Sequence, residues 1–191
     1  TAFPCPFVSL FGHTPIFFNP NTINNRKQIP VYVQDHAISR LKERINIITE
    51  GYLLDCLGRS LAQPIVTIFD SENYLIEYKL YDYKVGYLVV TKTEDFALVR
   101  SFKFITMTGT PEFKKLTGRL RATKHDVTYL GLDTLDVFIN SDISKDEKLK
   151  RIFEECDLGH MFELHDFFKD GIKFETSKLN VADEIKKYFN F

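Results

Sequence analysis

An α+β fold is what this sequence predicts, with N-terminal helices packed on a four-stranded antiparallel meander and a helical C-terminal extension behind them. Three observations carry that reading. The run Asp35 to Ile45 places Ala37, Ile38, Leu41 and Ile45, with Ile48 beyond, on one side of a helix turning about 100° per residue. Extended runs then follow one another with short polar turns between them, and from Glu112 onward the apolar spacing is helical.

Composition sets the outer bounds. The chain has 191 residues, of which 44% are hydrophobic and 27% charged, enough for one large or two small packed domains. Its 18 Phe and 9 Tyr come without Trp and speak first to core packing. With 25 basic and 26 acidic residues the formal net charge is −1, so any nucleic-acid contact has to come from a local patch. Cys5, Cys56 and Cys156 are odd in number and far apart, which argues against a disulfide framework or zinc ribbon and for a reducing, cytoplasmic setting. No apolar run approaches the ~18 residues of a membrane span, so no membrane partner is expected. The chain starts at Thr1, which predicts processing of the N-terminus.

Residues 1–30 hold Pro4, Pro6, Pro15, Pro20 and Pro30 and read as an irregular arm with short edge strands at Phe7–Phe11 and Ile16–Phe18; His13 sits in it as a loop histidine. Residues 31–109 form the helix-plus-sheet domain. Val31–Val33 is a short strand feeding the first helix, for which Asp35 is the expected N-cap. A second helix runs from Thr49 to Leu61, with Leu53, Leu54 and Leu57 on its apolar face and Gly58 as a stop signal. The meander strands are expected at 64–69, 74–80, 85–91 and 96–106, with turns at 70–73, 82–84 and 92–95. Thr110 and Pro111 open the helical region 110–191, as N-cap and first helical residue. Helices are expected at 111–120, at 127–138, from the capping box Ser144-x-x-Glu147 to Glu155, at 160–169 and at 181–188.

The first helix also carries the candidate chemistry, because His36, Arg40, Glu43 and Arg44 share one stripe. Arg40 and Arg44, four residues apart, repel each other, so an anion is expected over them; Asp70, Glu77 or Asp95 would serve as well as a ligand. An ion-pair ladder in solvent is the alternative meaning of this stripe. Arg100 and Lys79 are the sheet cations most able to face this helix, and Glu43 is placed to orient a guanidinium. Thr106 and Thr108 offer hydroxyls at a strand end beside a helix N-terminus.

His-Ala-x-x-Arg-x-x-Glu-Arg, here His36, Ala37, Arg40, Glu43 and Arg44, on a helix ahead of an antiparallel meander resembles the BrnT-type toxins and, more broadly, the barnase, EndoU, colicin and RelE-like ribonuclease group. The likeness covers roughly residues 31–110. It implies metal-independent cleavage or binding of RNA phosphodiesters, no cofactor, and a protein antitoxin or immunity partner besides RNA; cleavage through RNA's own 2′-hydroxyl needs a base near neutral pKa, which would be His36, and guanidiniums to meet the phosphate charge, which would be Arg40, Arg44 and Arg100. A non-catalytic protein-interaction module of the same fold is the alternative.

Other residues rank lower. Cys156, His160 and His165 have spacing a metal could use but lack an accompanying carboxylate pattern, so no metal site is expected. Lys114, Lys115, Arg119, Arg121, Lys124 and His125 make one basic cluster, either an RNA path or a solvated face. The sequence leaves the oligomeric state open.

Overall fold

The computed structural model describes residues 2–4, 31–70, 73–93, 96–121, 123–171 and 181–189. The chain divides into two compact units, Thr1–Asp82 with Gly86–Lys103, and Tyr83–Val85 with Phe104–Phe191. The expected arm, with His13 and Cys5, lies outside the described residues except for Ala2–Pro4, which form a strand.

The strands are β1 (Ala2–Pro4), β2 (Val31–Gln34), β3 (Val66–Ile68), β4 (Asn73–Leu80), β5 (Tyr83–Lys92) and β6 (Ala97–Phe104), in the sheet order β1-β2-β6-β5-β4-β3. The four strands of the expected meander are therefore neighbours in sequence order. The sheet itself is larger and mixed, because β2 joins it parallel to β6, with Val31 opposite Ala97 and Val33 opposite Val99, and β1 adds antiparallel to β2. Parallel pairing needs a long crossover, and the helices and strands between β2 and β6 supply it. Tyr81 and Asp82 alone connect β4 to β5, so those strands are antiparallel, and the turn falls one residue earlier than expected. Tyr81 takes the left-handed conformation there, with φ 52°.

Helix α1 spans Asp35–Arg44 and buries Ala37 and Leu41. Its N-cap is Gln34, without a side-chain cap; Asp35 is instead the first helical residue, where its carboxylate favours the positive end of the helix. Helix α2 spans Glu50–Ala62 and does not stop at Gly58. Its buried face, Leu53, Cys56, Leu57 and Leu61, keeps contact past that residue, and Pro64 bars any continuation beyond Gln63. Tyr78 Oη donates to Leu53 O at 2.9 Å and its ring meets Phe102 at 5.4 Å, edge to face.

In the second unit, α3 (Pro111–Leu120) starts as expected, with the Thr110 hydroxyl accepting from Phe113 N at 3.2 Å. The single helix expected at 127–138 is two, α4 (Lys124–Tyr129) and α5 (Leu135–Asn140). Gly131 at φ 65° ends the first, and a capping box between Thr123 and Asp126 starts it. Helix α6 (Glu147–Glu155) is capped by Asp146, whose carboxylate accepts from Lys148 N and Leu149 N, whereas Ser144 lies in a 3₁₀ turn, Ile143–Lys145. Asp146 stands directly before the helix and reaches two N–H groups that Ser144 is too far back to meet. Helices α7 (His160–Gly171) and α8 (Val181–Phe189) follow. Phe138, Phe153 and Phe162 make a ring cluster with centroids 5.8 to 6.2 Å apart.

Candidate functional site

Helix α1 does bring His36, Arg40, Glu43 and Arg44 to one side, with His36 and Glu43 exposed. The arginine pair is answered from within the stripe. Arg40 Nη1 meets Glu43 Oε2 at 2.5 Å, and Arg44 Nη2 lies 3.4 Å from Glu43 Oε1, so each carboxylate oxygen faces one guanidinium. Glu43 takes the place expected for a bound anion or for a carboxylate from another strand. Of those, Asp70 accepts from the main chain and side-chain amide of Asn73, Glu77 pairs with Lys79 at 3.7 Å, and Asp95 lies outside the described residues.

The sheet residues expected to complete the site do other things. Arg100 is exposed in β6. Lys79 is engaged by Glu77 at the edge of β4. Thr106 is fully buried and its hydroxyl donates to Leu132 O at 2.5 Å, which takes it out of contention as a substrate hydroxyl; Thr108 is exposed in the same unit. Burial pushes the Cys156 thiol above its ordinary range, His160 Nε2 lies 2.7 Å from Lys84 O, and among the described residues no group of His, Cys, Asp and Glu could hold a metal. In the basic cluster Lys115 pairs with Asp157 and Arg119 with Glu155, while Lys114, Arg121, Lys124 and His125 are exposed. No helix among the described residues is long and apolar enough to cross a membrane.

What sequence reasoning missed is the outer edge of the sheet. Strand β3 is last in the order, and it and its flanking residues are exposed in a way a core strand's are not: Ile68 is 75% exposed, and Ile65 and Phe69 on either side of the strand 48% and 41%. The ladder to β4 uses alternate residues, since Glu77 N donates to Ile65 O at 3.0 Å and Phe69 N to Asn73 O at 3.0 Å, with Thr67 opposite Leu75 between them. Val66 and Ile68 therefore direct their N–H and C=O groups away from β4, toward an edge that no strand among the described residues covers. The stretch Pro64 to Phe69 contains no charged residue and no central proline to blunt such an edge, whose protection is limited to the strand's length of three residues. A run of β-branched residues after a helix was the available signal, but edge and centre look alike in one sequence.

Beside this edge, where β3 stops short of the end of β4, lies a cleft of about 330 Å³ lined by Arg59, Ser60, Gln63, Ile65, Glu77, Lys79, Tyr81 and Asp82. Its cations and carboxylates are equal in number, and Ser60 Oγ accepts from Lys79 N at 3.2 Å, filling the place of a strand partner. Tyr81 of this lining has its ring centroid 5.2 Å from that of Tyr52, and burial pushes both the Tyr52 hydroxyl and the neighbouring Cys56 thiol above their ordinary ranges.

Compared with protein-family models, with curated proteins and with solved structures, the chain has no match in any of the three.

Proposed function

We propose that this chain is a protein-interaction module whose first unit binds an extended polypeptide segment by strand addition at β3. The observation that carries the reading is the exposed, uncharged β3 edge, with the main-chain groups of Val66 and Ile68 aimed outward. Strand addition takes affinity from main-chain hydrogen bonds and specificity from alternate side chains, so the fitting partner is an extended segment with β-branched or aromatic residues at every other position. The cleft beyond Ile65 extends the same groove and would receive a polar side chain without strong preference for charge sign. The test is amide exchange with a synthetic alternating peptide. Protection of the Val66 and Ile68 amides, lost in Ile68→Lys, supports the reading; unchanged exchange with every peptide of a panel refutes it.

A second reading, metal-independent binding or cleavage of RNA, draws on His36 and Arg40 standing one helical turn apart on an accessible face of α1. In it His36 is the base, Arg40, Arg44 and Arg100 hold phosphate oxygens, and Glu43 orients the guanidiniums it already touches. RNA cleavage in EDTA by the wild type, lost in His36→Ala and Arg40→Ala, supports it. Equal, negligible activity in all three leaves the interaction module ahead.

A further inference from the structure

The β3 edge has a property beyond being open: it is complementary to itself. We infer that the segment added at β3 is β3 of a second copy of this chain, the two strands running antiparallel about a two-fold axis at Thr67. The inference rests on the strand-addition reading and names the partner.

Rotation about an axis through Thr67 sets Val66 of one copy opposite Ile68 of the other, and these are the residues whose N–H and C=O groups face outward. Each Val66 then exchanges both of its bonds with the opposing Ile68, a hydrogen-bonded pair of the antiparallel ladder. Thr67, whose groups are turned to β4, meets its own copy in a non-hydrogen-bonded pair. A shift by one residue would oppose outward groups to inward ones, so the axis position is set by the ladder to β4.

The side chains agree with this register. Ile65 meets Phe69 and Val66 meets Ile68, each twice by symmetry, and Thr67 meets Thr67, so every exposed apolar residue of the edge gains an apolar neighbour. The register also keeps like charges apart, since Asp70 falls opposite Pro64 and not opposite its own copy. The edge is short, and an interface well below ~1,200 Å² belongs to the transient class, so the association is weak and concentration-dependent.

Disulfide trapping in a Cys5→Ser background, together with sedimentation of the otherwise unaltered chain, tests the register. Thr67→Cys is expected to cross-link with itself, because a non-hydrogen-bonded pair holds its Cα atoms about 4.5 Å apart. Ile65→Cys should cross-link poorly alone and well when mixed with Phe69→Cys. Sedimentation should show weight-average mass rising with concentration, and Ile68→Lys should abolish the rise while leaving the circular dichroism spectrum unchanged. A chain that stays monomeric at millimolar concentration, with Thr67→Cys cross-linking no faster than a cysteine at the exposed position Gly118, overturns the inference. If peptide protection of Val66 and Ile68 persists in that case, strand addition stands and only the second copy falls; if protection is absent too, both fall.

Discussion

The phenolic hydroxyl of Tyr188 donates to Asp126 Oδ1 at 2.6 Å, tying α8 to the first turn of α4. Tyr188, and after it Thr123, holds the Asp126 carboxyl below the usual carboxylate range. A depressed folded-state pKa contributes stability above the unfolded value of ~3.9, and that contribution is lost as pH falls through the folded value. Tyr188→Phe is therefore expected to lower stability at neutral pH, with the difference from wild type shrinking below pH ~4. Urea unfolding at pH 7 and pH 3 reads it out, and a deficit equal at both would show that the carboxylate is not involved.

Two glycines should respond to alanine with opposite signs. A Cβ at Gly86 would stand 2.3 Å from Lys103 O and 2.6 Å from the Phe102 ring, and a backbone oxygen in a sheet has little room to yield. Gly86→Ala should cost about 1–3 kcal/mol. A Cβ at Gly118, in α3, meets nothing within 4 Å, so Gly118→Ala should stabilise by about 0.5–1 kcal/mol. Thermal melts of the two variants check both signs.

Cys56 is 2% exposed, and burial, the largest influence, raises its thiol pKa even against the hydrogen bond from Tyr52. In the folded chain it should alkylate far more slowly than in urea, followed by site-resolved mass spectrometry. The same shift has a consequence for stability. The unfolded thiol ionises from about pH 8.5 while the folded one keeps its proton, so stability falls as pH rises past that point. Cys56→Ala should flatten the decline between pH 7 and 9.5.

Glu43 offsets two guanidiniums, so removing it should expose their charge at little structural cost. Glu43→Gln is expected to change stability by about 1 kcal/mol or less, since the Arg40 pair is exposed and only Arg44 is partly buried, and to strengthen retention on a polyanion such as heparin. No gain in retention would mean that the stripe does not act as one charged surface.

How much of this was written in the residues varies with the range of the interaction. The start of α3 was legible because Thr110 and Pro111 act on groups three residues away. The break between α4 and α5 was not, since apolar spacing runs on from Val127 to Phe138 and only the left-handed Gly131 interrupts it. In the α1 stripe, local spacing allows either an anion over Arg40 and Arg44 or an ion-pair ladder through Glu43, and the side-chain geometry shows Glu43 meeting both guanidiniums. Thr106 looked available at its strand end until packing buried it against Leu132 O.

Periodicity and capping, written within a few residues, already mark most of the amphipathic helices, the succession of strands between residues 64 and 106, and a helix face shared by His36, Arg40, Glu43 and Arg44. The tertiary structure sets the rest: β2 lies parallel to β6, β3 is the last described strand of the sheet with the main-chain groups of Val66 and Ile68 facing outward, and Lys79 pairs with Glu77. Those outcomes depend on which distant segments meet. A strand's local pattern is the same whether one of its edges is covered or both are, so the edge on which the proposed function rests became visible only when its neighbours were in place.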